Sequence, residues 1–327
     1  ADIMMVNDVK EFIKLTSADV KDKIIFVNYA LDQTYVNTVD AYLSAAKNKL
    51  LAASVIGQKG AKALIIRSLT TSSDDTPHAK MIVYEPDDNA RIPAVTIGAK
   101  SADELEKLLS KQSVKAKLNM AAQSKGETIN QNIIAEIQGK KDGKIILLGA
   151  QLDSWDFAEG AHDDGSGVVQ CIEVLRTFKA LGLENKHTIR VVLYANSENG
   201  GQGREMYASY VKKKEEKHIL ALGSDSGGYS PRGFRLDMSP QRRRLVFEWK
   251  NYFLPYGVYD FDQTEAIQDV LPLKKIDIPL AEMVVDTQRY FDYHHSVEDT
   301  FDKVNKRELL LGAIVMAQMV FIVDKNW

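Results

Sequence analysis

The fold of this chain is decided by two neighbouring stretches, Gly149-Ala150-Gln151-Leu152-Asp153-Ser154-Trp155-Asp156 and Gly160-Ala161-His162-Asp163-Asp164-Gly165-Ser166-Gly167. An apolar run over residues 144–148 leads into the first stretch and predicts a buried strand. A helical pattern over residues 168–183 leads out of the second stretch. Open α/β sheets place their sites at the carboxyl ends of strands, so we expect a functional site in these loops.

Further strand ends deliver acidic residues in the same way. Glu198 follows a strand predicted over residues 188–195, and Asp225 follows an apolar run over residues 219–222. A later polar stretch supplies an imidazole, His295. Because the carboxyl ends of parallel strands meet at one edge of a sheet, we expect these side chains to converge there.

The convergence of Asp163, Glu198, Asp225 and His295 has two interpretations. Acidic groups gathered in one place repel one another unless a divalent cation compensates their charge. Two metal ions bridged by one carboxylate would suit metal-assisted hydrolysis. In the alternative interpretation each carboxylate caps the helix that follows it, and both Asp163 and Asp164 are placed to do so. The spacing of the residues leaves both interpretations open.

Composition narrows the class of protein. The chain has 327 residues, enough for about two domains, and 45% of them are apolar. A net charge of −3 provides no basic surface for nucleic acid. The single cysteine, Cys171, excludes an intrachain disulfide and is predicted to be a buried structural thiol. The longest apolar candidate, residues 309–323, is interrupted by Gln318 and is too short for a transmembrane segment.

Two domains are predicted. Residues 1–125 are predicted to form a smaller α/β domain. Its histidine, His78, is expected to be exposed. Residues 126–327 alternate strands and helices, which predicts a mostly parallel sheet covered by helices. A hairpin of residues 114–121 and 129–137, with a turn at residues 124–127, is the candidate junction.

Several local patterns add detail. Ser101 and Glu104 form a predicted capping box at the start of a helix. A helix over residues 240–254 offers four apolar candidates for the core. They are Leu245, Phe247, Trp249 and Phe253.

The motifs resemble those of the M28 family of dinuclear zinc exopeptidases, within it the carboxypeptidase Q-like branch. The similarity covers nearly the whole chain. Residues 151–156 resemble the branch's His-x-Asp-Ser-Trp-Asp, and residues 160–167 its Gly-Ala-x-Asp-Asp-Gly-x-Gly. Three further matches follow in order: Ser197-Glu198 at a Glu-Glu position, Ser224-Asp225-Ser226-Gly227 at Ser-Asp-x-Gly, and Tyr290 to Thr300 at a late histidine motif.

The resemblance implies a role for each matched residue. Asp163 would be the carboxylate that bridges two metals, and Glu198 with His295 would complete one metal site. Asp225 and the family's first histidine would complete the other. Asp153 would orient that histidine. The first of the paired glutamates would be the general base that activates water.

Two positions depart from the family pattern. Gln151 stands where the first histidine is expected, and an amide oxygen is a poor zinc ligand compared with imidazole. Ser197 stands at the general-base position, and losing a general base typically costs about 10²- to 10⁴-fold in rate. His162 is a conceivable substitute ligand, but we expect it to be a surface residue. Ser197 as a nucleophile would need a nearby base, and none is evident.

The resemblance extends to other regions. Residues 1–125 resemble the protease-associated domain that the branch carries inserted in its peptidase domain, including residues 68–78 near that domain's Ser-Pro-His loop. Residues 1–6 resemble the start of the inserted domain. We therefore expect either that the chain was trimmed or that the peptidase sheet is covered in another way. Val270 and Leu271 are expected to narrow the substrate pocket. The resemblance also implies export, although no signal peptide is visible.

These observations lead to one hypothesis and two alternatives. The hypothesis is an M28-type exopeptidase homologue with a degenerate site, which binds peptides or small molecules and holds one zinc ion or none. The first alternative is an active exopeptidase with one or two metals, in which Gln151 is tolerated and water or Asp153 serves as the base. The second is a non-catalytic binding module that acts through the protease-associated domain.

Overall fold

The computed structural model describes residues 1–50, 52–84, 90–123, 126–140, 143–267 and 269–327. The chain forms two compact units, Ala1–Glu127 with Phe291–Glu298, and Thr128–Tyr290 with Asp299–Trp327. The sequence prediction assigned everything after residue 125 to the second domain, whereas the segment Phe291–Glu298 belongs to the first unit. Ser124 and Lys125 of the predicted turn, and Gln268 beside the predicted pocket, lie outside the described residues.

The first unit is built on a four-stranded parallel sheet. Its strands lie in sequence order, β1 (Ile3–Val6), β2 (Ile24–Val27), β3 (Ala63–Arg67) and β4 (Ala94–Ile97). Its helices are α1 (Val9–Lys14), α2 (Ser17–Val20), α3 (Thr38–Leu50), α4 (Ala52–Gln58) and α5 (Ala99–Leu109). Every residue of β2 is buried, and Ile25 and Val27 pack with Ile56 of α4 in one core. Burial on both faces explains why β2 is a continuous apolar run.

The predicted capping box is wrong. Helix α5 begins after Gly98, two residues earlier than the pattern indicated, so Ser101 lies inside the helix. The hydroxyl of Ser101 donates instead to the carboxylate of Asp75 at 2.9 Å, and its backbone N–H donates to the same carboxylate. A side chain from the preceding loop therefore accepts the N–H that the capping box was expected to satisfy.

The second unit contains a six-stranded sheet in the order β5-β7-β6-β8-β10-β9. The strands are β5 (Ile133–Ile137), β6 (Ile145–Gln151), β7 (Thr188–Tyr194), β8 (His218–Gly223), β9 (Pro231–Asp237) and β10 (Leu280–Val285). The four central strands are parallel, and the edge strands β5 and β9 are antiparallel to their neighbours. The predicted helix-covered, mostly parallel sheet is confirmed. Strand β9 was not predicted, because a proline, a glycine and two arginines interrupt its apolar pattern.

Helices cover both faces of this sheet. They are α6 (Ser166–Ala180), α7 (Gln202–Lys214), α8 (Pro240–Glu248), α9 (Lys250–Phe253) and α11 (Lys306–Asn326), while α10 (Tyr290–Tyr293) leads into the segment Phe291–Glu298. On one face Leu147 and Val192 share a core with Tyr207 and Val211 of α7. On the other face α6 packs against β6, and α11 packs against α6. Among the helices that the structure describes, none has the length and apolar character needed to cross a membrane.

The predicted hairpin between the halves is wrong. Strand β5 pairs with β7, with Ile133 opposite Leu193, and not with residues 114–121. In the latter stretch Lys115 makes an isolated bridge with Asp2, and the described residues after it form no strand. Alternating polarity identified a strand in β5, but its partner lies far away in the sequence and left no local signal.

The core assignment in the helix over residues 240–254 is half right. Trp249 and Phe253 are buried, as predicted. Leu245 and Phe247 are exposed to 42% and 51%, and Val246 is buried instead. The buried residues Val246, Trp249 and Phe253 follow a spacing of three and four, which is the regular buried stripe of a helix.

Candidate functional site

The candidate site starts with Gln151, the last residue of β6. Its side-chain amide nitrogen donates to Asp163 Oδ1 at 3.3 Å and to Glu198 Oε1 at 3.1 Å. It also lies 3.3 Å from the carbonyl oxygen of Asp153. The two carboxylates come from the loops after β6 and β7, and both accept the amide of Gln151. A neutral amide donor therefore lies between two carboxylates.

Asp164 holds the backbone of this loop. Its carboxylate accepts the N–H of Gln151 and the N–H of Gly167, each at 3.1 Å. The second bond caps the first turn of α6, so the alternative interpretation is correct for Asp164. It is not correct for Asp163, whose carboxylate accepts the amide of Gln151.

Two further carboxylates also accept pairs of backbone N–H groups. Asp153 accepts from Ser197 at 2.8 Å and from Glu198 at 3.2 Å. Asp299 accepts from His162 at 2.7 Å and from Asp163 at 3.0 Å. Each carboxylate fixes the backbone next to one of the predicted site residues. No role had been predicted for Asp299, although the Asp-Thr pair of the late histidine motif contains it.

Asp225, after β8, lies in a strongly acidic environment. Burial, followed by the charges of Asp164, Asp163, Asp269 and Glu198, raises the pKa of Asp225 well above its ordinary value. Burial and the charge of Asp163 likewise raise the pKa of Asp164. The site therefore concentrates like charges that disfavour one another in a buried position.

Asp269 is a site neighbour that the sequence did not reveal. Its Oδ2 accepts the hydroxyl of Ser197 at 3.0 Å, and its Oδ1 accepts Nη1 of Arg204 at 2.7 Å. Burial raises the pKa of Asp269, while Arg204 and Ser197 oppose that shift. No base near Ser197 was evident from the sequence, but the carboxylate of Asp269 lies within hydrogen-bond distance of its hydroxyl. Asp269 is ion-paired with Arg204, and the hydroxyl of Ser197 donates its proton to this carboxylate.

His162 is not a surface residue. It is 1% exposed, and its ring stacks on Tyr229 with centroids 4.3 Å apart and planes 4° apart. Its Nδ1 accepts the N–H of Gly228 at 3.1 Å. Burial lowers the pKa of His162. The ring is held in the core, which argues against its use as a substitute metal ligand.

His295 lies in the segment Phe291–Glu298, which belongs to the first unit. Its Nδ1 lies 3.2 Å from the carbonyl oxygen of Ala79, and its ring stacks on His294 with centroids 3.6 Å apart. His78, expected to be exposed, is 3% exposed, and its Nδ1 donates to the carbonyl oxygen of His294 at 2.6 Å. A polar loop next to Pro77 gave no indication of this burial. The convergence of His295 with Asp163 and Glu198 stays a prediction.

Two smaller predictions were also tested. Cys171 is fully buried, as predicted, and burial raises the pKa of its thiol well above the ordinary value. Val270 does not narrow a pocket, because it lies in the core beside Tyr194 and Leu147. Leu271, the next residue, is 39% exposed.

The model of peptidase family M28 matches residues 132–320, more than half of the chain. The chain belongs to peptidase family M28. The matched region begins just before β5 and contains every predicted site residue, from Gln151 to His295. Family membership therefore rests on the part of the chain that forms the candidate site.

Similar sequences and solved structures support this membership. The chain is 29% identical to carboxypeptidase Q of Pongo abelii over 99% of its own length and 67% of that protein. A Peptidase M28 precursor from Shewanella amazonensis SB2B has a solved structure that matches 99% of this chain and 73% of that one, with a TM-score of 0.93 and 32% identity. The zinc aminopeptidase BSAP of Bacillus subtilis matches 98% of this chain and 74% of that one at a TM-score of 0.60 and 21% identity, which shows the same fold.

The donor groups can be compared with what a family M28 metal centre requires. The carboxylates of Asp163, Glu198 and Asp225 are oxygen donors in a crowded acidic site, which fits a divalent cation. The position of Gln151 does not fit the imidazole ligand of a second zinc site, because its amide nitrogen is a donor to two of these carboxylates.

Proposed function

We propose that this chain is an M28 exopeptidase homologue whose catalytic centre is degenerate. It binds peptides, holds at most one divalent cation, and hydrolyses peptide bonds weakly or not at all. The observation that carries the proposal is the amide of Gln151, which donates to both Asp163 and Glu198. In this proposal the first unit corresponds to the protease-associated domain.

The proposed cation ligands are Asp163 and Glu198, with His295 as the imidazole ligand that the family resemblance assigns. Asp225 lacks the histidine partner that a second cation would need. A bound divalent cation would polarise a peptide carbonyl and acidify water. Asp153 and Asp299 keep the backbone around the ligands in place, because each accepts two N–H groups next to them.

Proton transfer is the step that this chain supports least. A serine hydroxyl at position 197 takes up no proton near neutral pH, and here it donates to Asp269. Asp153, the candidate substitute base, already accepts two backbone N–H groups. The missing base alone should lower the rate by about 10²- to 10⁴-fold. This argues against the alternative of a fully active single-metal exopeptidase.

Two measurements test the proposal. Elemental analysis of protein purified with zinc should find no more than one tightly held ion per chain. Dipeptides and aminoacyl-anilides incubated with zinc, cobalt or manganese should show negligible turnover. Two zinc ions per chain, or turnover near the ordinary enzyme rate of about 10 per second, would overturn the proposal. Peptide binding without any metal would favour the alternative of a non-catalytic binding module.

A further inference from the structure

We propose that the loop of residues 70–80 in the first unit positions the imidazole of His295 for metal binding. This inference rests on the proposed function, which makes His295 a cation ligand. It begins from the division of the chain. Phe291–Glu298 belongs to the first unit, although the residues before and after it belong to the second. The first unit therefore builds the surroundings of His295.

The loop holds the segment at several points. The hydroxyl of Thr70 donates to the carbonyl oxygen of Phe291 at 2.8 Å, and the hydroxyl of Thr71 donates to the carboxylate of Asp292 at 2.7 Å. The ring of Tyr42 stacks on Phe291 with centroids 4.8 Å apart. These contacts fix the beginning of the segment against the first unit.

Ala79 fixes His295 itself from two sides. The N–H of Ala79 donates to the carbonyl oxygen of His295 at 2.7 Å, and Nδ1 of His295 lies 3.2 Å from the carbonyl oxygen of Ala79. A carbonyl oxygen only accepts, so Nδ1 must carry the proton, and Nε2 is then the nitrogen that binds a cation. Metal-binding histidines characteristically donate their other N–H to a carbonyl or carboxylate in this way.

The backbone of His295 needs this support. Its φ is 58°, in the left-handed region, which is unfavourable for a residue with a Cβ by about 1 kcal/mol. The backbone bond from Ala79 opposes that cost. The same contacts that hold the strained backbone thus also select the tautomer of the ring.

His78 connects the loop to the sheet of the first unit. Its N–H donates to the hydroxyl of Ser68, and that hydroxyl donates to the carbonyl oxygen of Ile97 in β4. Its ring donates to the carbonyl oxygen of His294 at 2.6 Å. His78 is therefore a positioning residue. It places Ala79 and the backbone before His295, and in this inference it binds no metal.

The test measures metal affinity in the full-length chain. His78→Phe removes the ring N–H at similar size, and His78→Asn retains a donor near the Nδ1 position. Zinc is titrated against a chromophoric chelator, and cobalt is used to record the absorption spectrum of the site. We expect His78→Phe to weaken binding by about 10- to 100-fold and to alter the cobalt spectrum. We expect His78→Asn to restore most of the affinity.

Two further variants keep the result interpretable. His218→Gln changes a buried histidine of the second unit and should leave metal affinity unchanged. Thr70→Val removes one hydrogen bond to the segment and should weaken binding less than His78→Phe, so it serves if His78→Phe does not fold. Unchanged affinity in folded His78→Phe or Thr70→Val would overturn this inference and leave the proposed function intact. Wild-type protein that binds no metal would overturn this inference and the assignment of His295 as a cation ligand, while a degenerate site that holds no cation would stand.

Discussion

Buried charges are arranged in opposite ways at the two ends of the strands of the second sheet. Near the amino end of β7, Arg190 forms ion pairs with Glu136 and with Glu216, and it also donates to the hydroxyl of Tyr207. At the carboxyl edge, burial and neighbouring carboxylates raise the pKa values of both Asp164 and Asp225. At the amino end carboxylates pair with the buried Arg190, whereas at the carboxyl edge several carboxylates lie close to one another.

This difference separates a structural network from a functional site. In a buried ion pair each charge offsets the cost of burying the other, so removing one partner leaves an uncompensated charge and weakens the fold. Buried like charges weaken the fold until a ligand compensates them, so they are retained where binding or catalysis requires them. In the proposed function, the carboxyl edge keeps the charges of a metal centre, while Gln151 and Ser197 stand where an imidazole and a carboxylate would act.

The largest expected effect comes from restoring those two groups. Gln151→His returns an imidazole, and Ser197→Glu returns a carboxylate that can accept a proton. Together they should raise peptide hydrolysis by at least about 100-fold and raise metal content toward two ions. Each single variant should do little, because the base and the second cation act on the same water. Turnover and elemental analysis of all three variants measure this.

The outcomes of this experiment identify different faults. A double variant that binds two ions and stays inert would show that the substrate pocket has also changed. A double variant that binds no additional ion would contradict the placement of Gln151 in the metal centre. Asp269 is a specific risk, because it lies 3.0 Å from the hydroxyl of Ser197 and a second carboxylate would meet it there.

At the amino end, loss of one partner should be costly. Arg190→Met leaves Glu136 and Glu216 without their cation and should lower the free energy of unfolding by about 3 kcal/mol. The matched control is Arg176→Met, which removes an exposed ion pair with Glu173 and should cost little. Urea denaturation measures both variants. Equal costs would mean that burial does not distinguish the two networks.

The sequence predicted individual strands and helices better than it predicted which residues of other elements they contact. Apolar runs and turn residues located β6, β7 and β8, and with them the parallel sheet whose carboxyl edge carries the acidic residues. The contact of Asp269 with Ser197 could not be predicted, because the two are 72 residues apart, although the resemblance placed the neighbouring Val270 and Leu271 beside the substrate pocket. His78 and His162 were expected at the surface, since their burial depends on stacking and on backbone carbonyls that no local pattern reveals.

An effect of similar size should appear as a pH dependence at the amino end. Burial and the nearby Arg190 lower the pKa of His218 from 6.5 to about 4. Tyr207 accepts from Arg190, and its own O–H can donate to Nε2 of His218 when the ring is neutral. The folded pKa is depressed, so this stability is present above about pH 6.5 and is lost as the pH falls toward 4.

The loss should reach about 3 kcal/mol at the acidic end of that range. His218→Gln keeps an acceptor for Tyr207 and removes the titration, so its unfolding free energy should depend less on pH. Urea denaturation from about pH 7 down to about pH 4.5 gives the two slopes. Parallel slopes for the variant and the wild type would assign the acid sensitivity to other groups.

The smallest effect has the opposite sign and lies at the carboxyl edge. The folded pKa of Asp225 is raised, so its protonated form is favoured in the folded state, and stability is lost as the pH rises through that pKa. In protein treated with chelator, Asp225→Asn should therefore increase the unfolding free energy at neutral pH, by about 1 kcal/mol or more. The gain should shrink as the pH falls, because the wild-type carboxylate then takes up its own proton.

Asp299→Asn is the informative control for this last variant. Asp299 also lies in the acidic site, but its two oxygens accept the N–H groups of His162 and Asp163, and an amide can replace only one of them. Asp299→Asn should therefore destabilise the chelator-treated protein, while Asp225→Asn stabilises it. If both variants destabilise it, the charge of Asp225 supports the fold as the charges at the amino end do. The carboxyl edge would then be a structural network, and the argument that its charges were retained for a metal would fail.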